Sequence, residues 1–147
     1  MSRVLVIGYG NPSRRDDGVG HYVAEEIQER AVGNISTLTV FQLGPELTET
    51  VKDYDLVVFV DAQVGQSAEG LSVIPVEAAY RPSAFTHVMS PASLLALTKA
   101  LYKKEPEALI VAVPGYDFDF GMGLCDETTK WAEAAIERIL ELSRERE

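Results

Sequence analysis

The first thirty residues constrain the fold more than any other stretch. Val4-Leu5-Val6-Ile7 is continuously apolar and largely β-branched, the composition of a strand covered on both faces. After it the period changes. Val19, Val23, Ile27 and Ala31 recur every fourth residue, which predicts one face of a helix over about 20–31. Between strand and helix lies GYGNPSRRDDGVG (8–20), a glycine-bearing loop that closes on two adjacent carboxylates, Asp16 and Asp17. Strand, loop and helix in that order open an α/β unit, and in open sheets of this kind ligands gather at the carboxyl ends of the strands. The two aspartates stand where a site is expected.

The alternation continues along the chain without repeats, low-complexity segments or linkers. Strands are expected at 3–8, 37–43, 55–61, 71–76 and 108–113. Besides 20–31, helices are expected at 45–52, with Leu47 and Val51 inward, from Ser90-Pro91 onward, and from near Asp126 to the end. The third presents Leu94, Leu97 and Leu101 on one side, and the last buries Trp131, Ala135, Ile139 and Leu142. The fold class is α/β, a three-layer αβα sandwich with a mostly parallel five-stranded sheet. One strand breaks the parallel rule. Only 62–70 joins the third and fourth strands, whereas a parallel crossover needs about a dozen residues or more. The fourth strand is therefore antiparallel to its neighbour or placed elsewhere, with an antiparallel edge favoured.

At 147 residues and 46% hydrophobic, the chain suits a single domain, 1–147, with a proper core. No apolar run approaches the ~20 residues of a membrane span, and the N-terminus lacks a signal-peptide pattern, so a cytoplasmic protein with no membrane partner is expected. Cys125 is the only cysteine, which excludes an internal disulfide and a cysteine-rich metal site. Thirteen basic against 23 acidic side chains give a net charge of −10, which argues against nucleic-acid binding and would attract a basic partner surface.

Three polar residues fall at expected strand ends or helix entrances: Asp17 past the first strand, Asp61 closing DLVVFVDA (55–62), and His87 in AFTHVMSP (84–91) ahead of the third helix. Two carboxylates and an imidazole, far apart in sequence, suit a divalent ion with open positions, whether zinc, nickel, iron or manganese. Each also has a plainer reading. Asp17-Gly18 fits a turn, Asp61 can satisfy loop amides, and His87 can cap or pack. His21, on the first helix, is expected to be exposed. The opening Gly8-Tyr9-Gly10 fails as a dinucleotide fingerprint, because Ser13 occupies the third glycine position and 41–43 offers no acid for a ribose. Nor does the loop carry a P-loop lysine.

GYGNPSRRDDGVG (8–20), VDA (60–62), THVMSPASLLAL (86–97) and VPGYDFDFGMGL (113–124) together resemble the hydrogenase maturation proteases across nearly the whole chain. The resemblance implies an endopeptidase that removes a C-terminal extension from the large-subunit precursor of a [NiFe] hydrogenase after nickel insertion. It implies that Asp17, Asp61 and His87 are the catalytic and metal-contacting residues, and that the nickel is supplied by the substrate. Other divalent metals could occupy the same site, and a monomer suffices for the task. Whether the metal polarises the scissile carbonyl or a water, or one carboxylate acts as general base, stays open at this level. Two aspartates do not make a pepsin-like dyad.

Two segments depart from the family's commoner pattern. Residues 121–126 read GMGLCD where GExLSP is usual, and Ser13-Arg14-Arg15 replaces a loop that often carries an apolar residue. Arg14 and Arg15 could face the precursor's tail or simply be solvated. Cys125 has no histidine near it in sequence and is expected to be inert. Two other functions compete. Peptidyl-tRNA hydrolase shares the GNP loop (10–12), but Asp16-Asp17-Gly18 stands where its histidine and asparagine would be, and the chain is acidic. A non-catalytic metal-sensing chaperone of the precursor would use the same three ligands.

Overall fold

The computed structural model describes residues 2–30, 33–65, 70–80 and 89–146. Within them the chain alternates as β1 (Val4–Tyr9), α1 (Val19–Glu29), β2 (Ile35–Val40), α2 (Thr48–Val51), β3 (Leu56–Val64), β4 (Ser72–Pro75), α3 (Pro91–Tyr102), β5 (Glu107–Gly115) and α4 (Asp126–Arg144). The sheet order is β2-β1-β3-β5-β4. β1 pairs in parallel with β2 and β3, and β3 pairs in parallel with β5. β4 runs antiparallel against β5 at the edge. Both alternatives for this strand therefore hold at once, since it is antiparallel and also lies beyond β5, away from β3.

The continuously apolar segments became the inner strands. β1 and the first half of β3 are buried on both faces, whereas β2 alternates between half-buried and exposed, as an edge should. β4 is four residues long and ends in Pro75, two features that blunt an exposed edge. One face of the sheet, through Val4, Val6, Val58, Val60, Val111 and Val113, packs against α1 and α4. The opposite face, through Leu5, Ile7, Val57 and Phe59, meets Leu47 and Val51 beside α2, and Leu94 and Leu95 of α3. This is the αβα sandwich. Among the described residues no helix is long and apolar enough to cross a membrane.

Three local expectations shift. β2 ends at Val40, and the chain bends before Leu43, which is buried against the α2 side. The short helix splits into a 3₁₀ turn, Pro45–Leu47, followed by α2. On α3 the inward positions are Leu94, Leu95 and Thr98, while Leu97 is half-buried and Leu101 is 59% exposed. Thr98 can face inward because its hydroxyl donates to the Leu94 carbonyl at 2.8 Å, which leaves no unpaired polar atom in the core. The Ser90 cap and Pro91 start of α3 are as expected, with the Ser90 side chain accepting from the Ser93 amide.

Strand order reverses at β1: β2 lies on one side of it, and the chain crosses back to place β3 on the other. The gap at the carboxyl ends of β1 and β3 is thus the topological switch point, where a crevice opens between crossovers leaving in opposite directions. Close packing brings α1 onto that gap. A side chain at Gly20 would lie 2.6 Å from the Val60 carbonyl and 2.9 Å from the Tyr9 backbone, so only glycine lets the first turn of α1 seat directly over the two strand ends.

Candidate functional site

The loop leaving β1 is built to present Asp17. Gly10 adopts φ +135°, and the space of its missing Cβ is taken by the Asp17 carbonyl. Asn11 closes a turn by accepting from the Ser13 amide at 2.9 Å, and its own amide donates to Asp17 Oδ2 at 2.8 Å. The chain then tightens into a 3₁₀ turn, Arg15–Gly18, with Arg15 at φ 46°. Such a turn directs successive side chains to different sides, and the two aspartates part company here.

Asp16 points inward and is fully buried. Its Oδ2 accepts from the amides of Tyr116 and Asp117 at 2.8 and 2.9 Å, and its Oδ1 from the Cys125 amide at 2.8 Å. The Cys125 thiol donates to Oδ2 at 3.1 Å. Burial works to raise this carboxyl's pKa, but the amide bonds from Tyr116, Cys125 and Asp117, with the thiol, outweigh it and hold the group below the ordinary carboxylate value. Asp16 therefore ties the first loop to the segment between β5 and α4. Three backbone bonds complete the clasp: Arg15 amide to Gly121 carbonyl, Gly121 amide to Ser13 carbonyl, and Asp16 amide to Asp117 carbonyl, at 2.9–3.0 Å.

Asp61 follows Val57 and Phe59 on the same face of β3, and emerges where the core ends. Tyr9, last in β1, donates its hydroxyl to Asp61 Oδ2 at 3.3 Å. Burial pushes the Asp61 carboxyl up to about 6, and the charge of Asp17 adds to the rise, against hydrogen bonds from Tyr9 and the Ala62 amide that lower it. Burial, with the adjacent Asp61 charge, likewise drives the Tyr9 phenol above its usual value. Asp17 and Asp61 thus face the same crevice. Among the described residues no basic side chain offsets the Asp61 charge.

His87, the third expected member, lies outside the described residues, as does the Thr86 beside it. The described residues alone bring no three histidine, cysteine or acidic side chains together as a metal cluster. The charge of Asp17 is felt at Asp61, and a divalent ion held between the two would relieve that repulsion. His21 departs from expectation, being half-buried with its Nε2 bonded to the Val40 carbonyl at 3.0 Å. That contact holds α1 to the end of β2 and commits the ring to packing. Cys125 caps α4, accepting from the Thr128 amide, and its hydrogen-bond partners are Asp16 and Thr128 instead of a histidine. It has the environment of a structural thiol.

Two contributors escaped the sequence reading. Tyr9 was signalled by the period-2 pattern, which places it on the Ile7 face at the strand end. The division of labour between Asp16 and Asp17 had no local signal, because the partners of Asp16 lie about a hundred residues away.

No protein-family model matches the sequence, and no curated protein matches it significantly. Solved structures do. The hydrogenase maturating endopeptidase HybD of E. coli superposes with TM-score 0.79 at 24% identity, covering 98% of this chain and 93% of that one. The [NiFe] hydrogenase maturation protease HybD of Thermococcus kodakarensis superposes with TM-score 0.74 at 20% identity, over 95% and 98%. The fold is that of hydrogenase maturation endopeptidases. HycI of the same archaeon, also a [NiFe] hydrogenase maturation protease, agrees with TM-score 0.75 at 21% identity over 95% of this chain and 91% of its own. These likenesses run from end to end, so the switch-point crevice belongs to the shared architecture.

Proposed function

We propose that this protein is an endopeptidase that removes the C-terminal extension from the large-subunit precursor of a [NiFe] hydrogenase after nickel insertion, acting as a monomer in the cytoplasm. The observation that carries the reading is the convergence of Asp17 and Asp61 at the switch point, in a chain with this fold. His87 completes the set by its place ahead of α3 in the sequence.

In this reading the metal arrives with the substrate. Nickel seated in the precursor engages Asp17, Asp61 and His87, and supplies Lewis-acid polarisation at the scissile peptide. Asp17 is presented by a loop whose shape depends on Gly10 and on the Asn11 amide, so its carboxylate is oriented before substrate arrives. In the alternative where a carboxylate acts instead as general base, Asp61, whose pKa burial raises to about 6 in the absence of metal, is the one suited to take a proton from an attacking water. A precursor without nickel leaves two carboxylates facing each other unrelieved, which disfavours its docking and makes the metal a condition for cleavage.

The test is incubation of the purified protein with nickel-loaded and nickel-free cognate precursor, following the C-terminal mass. A short peptide should be lost from the loaded precursor alone, and not with His87→Ala. A precursor that binds and is never shortened would replace the protease reading with a non-catalytic checkpoint.

A further inference from the structure

We propose that Arg14, Phe120 and Met122 form a docking platform for the substrate polypeptide, which takes a stretch where a carboxylate side chain neighbours an apolar one. This rests on the protease reading and specifies what the enzyme recognises beside the bond it cuts.

The two arginines of the first loop have different fates. Arg15 is committed internally: its guanidinium lies 3.6 Å from Asp117 and packs over Gly121. The Arg14 guanidinium stands over the Phe120 ring, its Cζ 4.3 Å from the centroid, with Nη1 donating to the Phe118 carbonyl at 3.3 Å. Among the described residues no carboxylate pairs with it. With Nη1 engaged by the Phe118 carbonyl, the guanidinium still has N–H donors left with which to grip a carboxylate. In a molecule of net charge −10 this local cation can read one acidic side chain while the surroundings repel a generally acidic surface.

The apolar half lies alongside. Phe120 and Met122 are 75% and 73% exposed, unusually bare for large side chains on a loop held by the Asp16 clasp. Met122 borders a cavity of about 470 Å³, shared with Pro12, Tyr22, Leu124, His21 and Arg15. Gly18, the residue after Asp17, also lines it, as does Glu25. The space suits an apolar side chain from an extended segment. The clasp makes the platform rigid, which spares the ordering cost that a mobile loop would add to binding.

The experiment measures steady-state cleavage of the nickel-loaded precursor, and its affinity by calorimetry, for wild type, Arg14→Glu, Arg14→Lys and Met122→Ala. Arg14→Glu should raise KM and Kd about 10-fold or more, with the loss carried by KM, and Arg14→Lys should recover only part of it. Replacing tail acids of the precursor by lysine should restore affinity toward Arg14→Glu. Met122→Ala should weaken binding about 3–10-fold. If all three variants keep KM and Kd within about twofold of wild type, the platform is refuted while the protease reading stands. If wild type binds without cleaving and Arg14→Glu weakens that binding, the platform survives and the protease reading fails. Absence of binding by wild type refutes both.

Discussion

Asp16 and Asp61 are two carboxylates drawn into the same end of one small sheet, and their surroundings push them in opposite directions. Asp16 is fully buried yet receives three backbone amides and a thiol, and its charge is held more firmly than in water. Asp61 is less enclosed, has a tyrosine hydroxyl at 3.3 Å and a second carboxylate nearby, and is pushed up to about 6. Burial alone does not decide a carboxylate's state; the supply of donors does. The satisfied group builds the scaffold and the under-satisfied one is left with binding capacity to spare.

The comparison breaks most directly at the level of activity. Asp17→Asn and Asp61→Asn should each lower precursor processing by at least about 10²-fold while circular dichroism stays native, because each removes a charge from the crevice and neither removes a structural bond to the clasp. Normal processing by both would dissolve the assignment of the site.

Next in size is the scaffold. Asp16→Ala leaves the Tyr116, Asp117 and Cys125 amides without their acceptor, and should cost about 3–5 kcal/mol in urea unfolding at pH 7. Its folded pKa lies below the ordinary value, so the stability it contributes is present above the unfolded carboxylate pKa and is lost as pH falls below it. The deficit of the variant should therefore shrink in acid. A deficit independent of pH would mean that the aspartate acts by packing alone.

Asp61 carries the opposite sign. A folded pKa raised from 3.8 to about 6 means that the ionised group opposes folding: the cost is absent below about pH 4, grows between pH 4 and 6, and is full above. Asp61→Asn should thus be more stable than wild type at pH 7, by up to about 3 kcal/mol, and equal to it near pH 4. A variant that is both inactive and more stable would mark Asp61 as a residue kept for function at the expense of the fold.

The smallest effect sharpens the cause. Tyr9→Phe removes one hydrogen bond to Asp61, costs about 1 kcal/mol or less, and should move the Asp61 carboxyl further upward in an NMR titration, because that bond favours the ionised form. A downward shift would show that the tyrosine matters chiefly by excluding water.

Much of this was legible in the residues themselves. Val4 to Ile7 read as an inner strand because a run with no polar break has no solvent face to offer, and Ser90-Pro91 read as a helix start because the cap is local chemistry. The length of 62–70 was enough to turn β4 antiparallel. Leu97 and Leu101 misled because periodicity counts apolar residues and cannot see that Thr98 finds its acceptor one turn back.

What the chain by itself determined was the alternation of elements, the strand ends at which polar residues collect, and the candidates Asp17 and Asp61. What only the tertiary structure decided was their meeting, and which of two neighbouring aspartates would build and which would remain available. The reason is physical: periodicity and capping are set within a turn or two of helix or strand, whereas a carboxylate's charge state depends on donors that folding brings in from anywhere. For Asp16 they come from residues 116, 117 and 125, and for Asp61 from Tyr9 and its own strand.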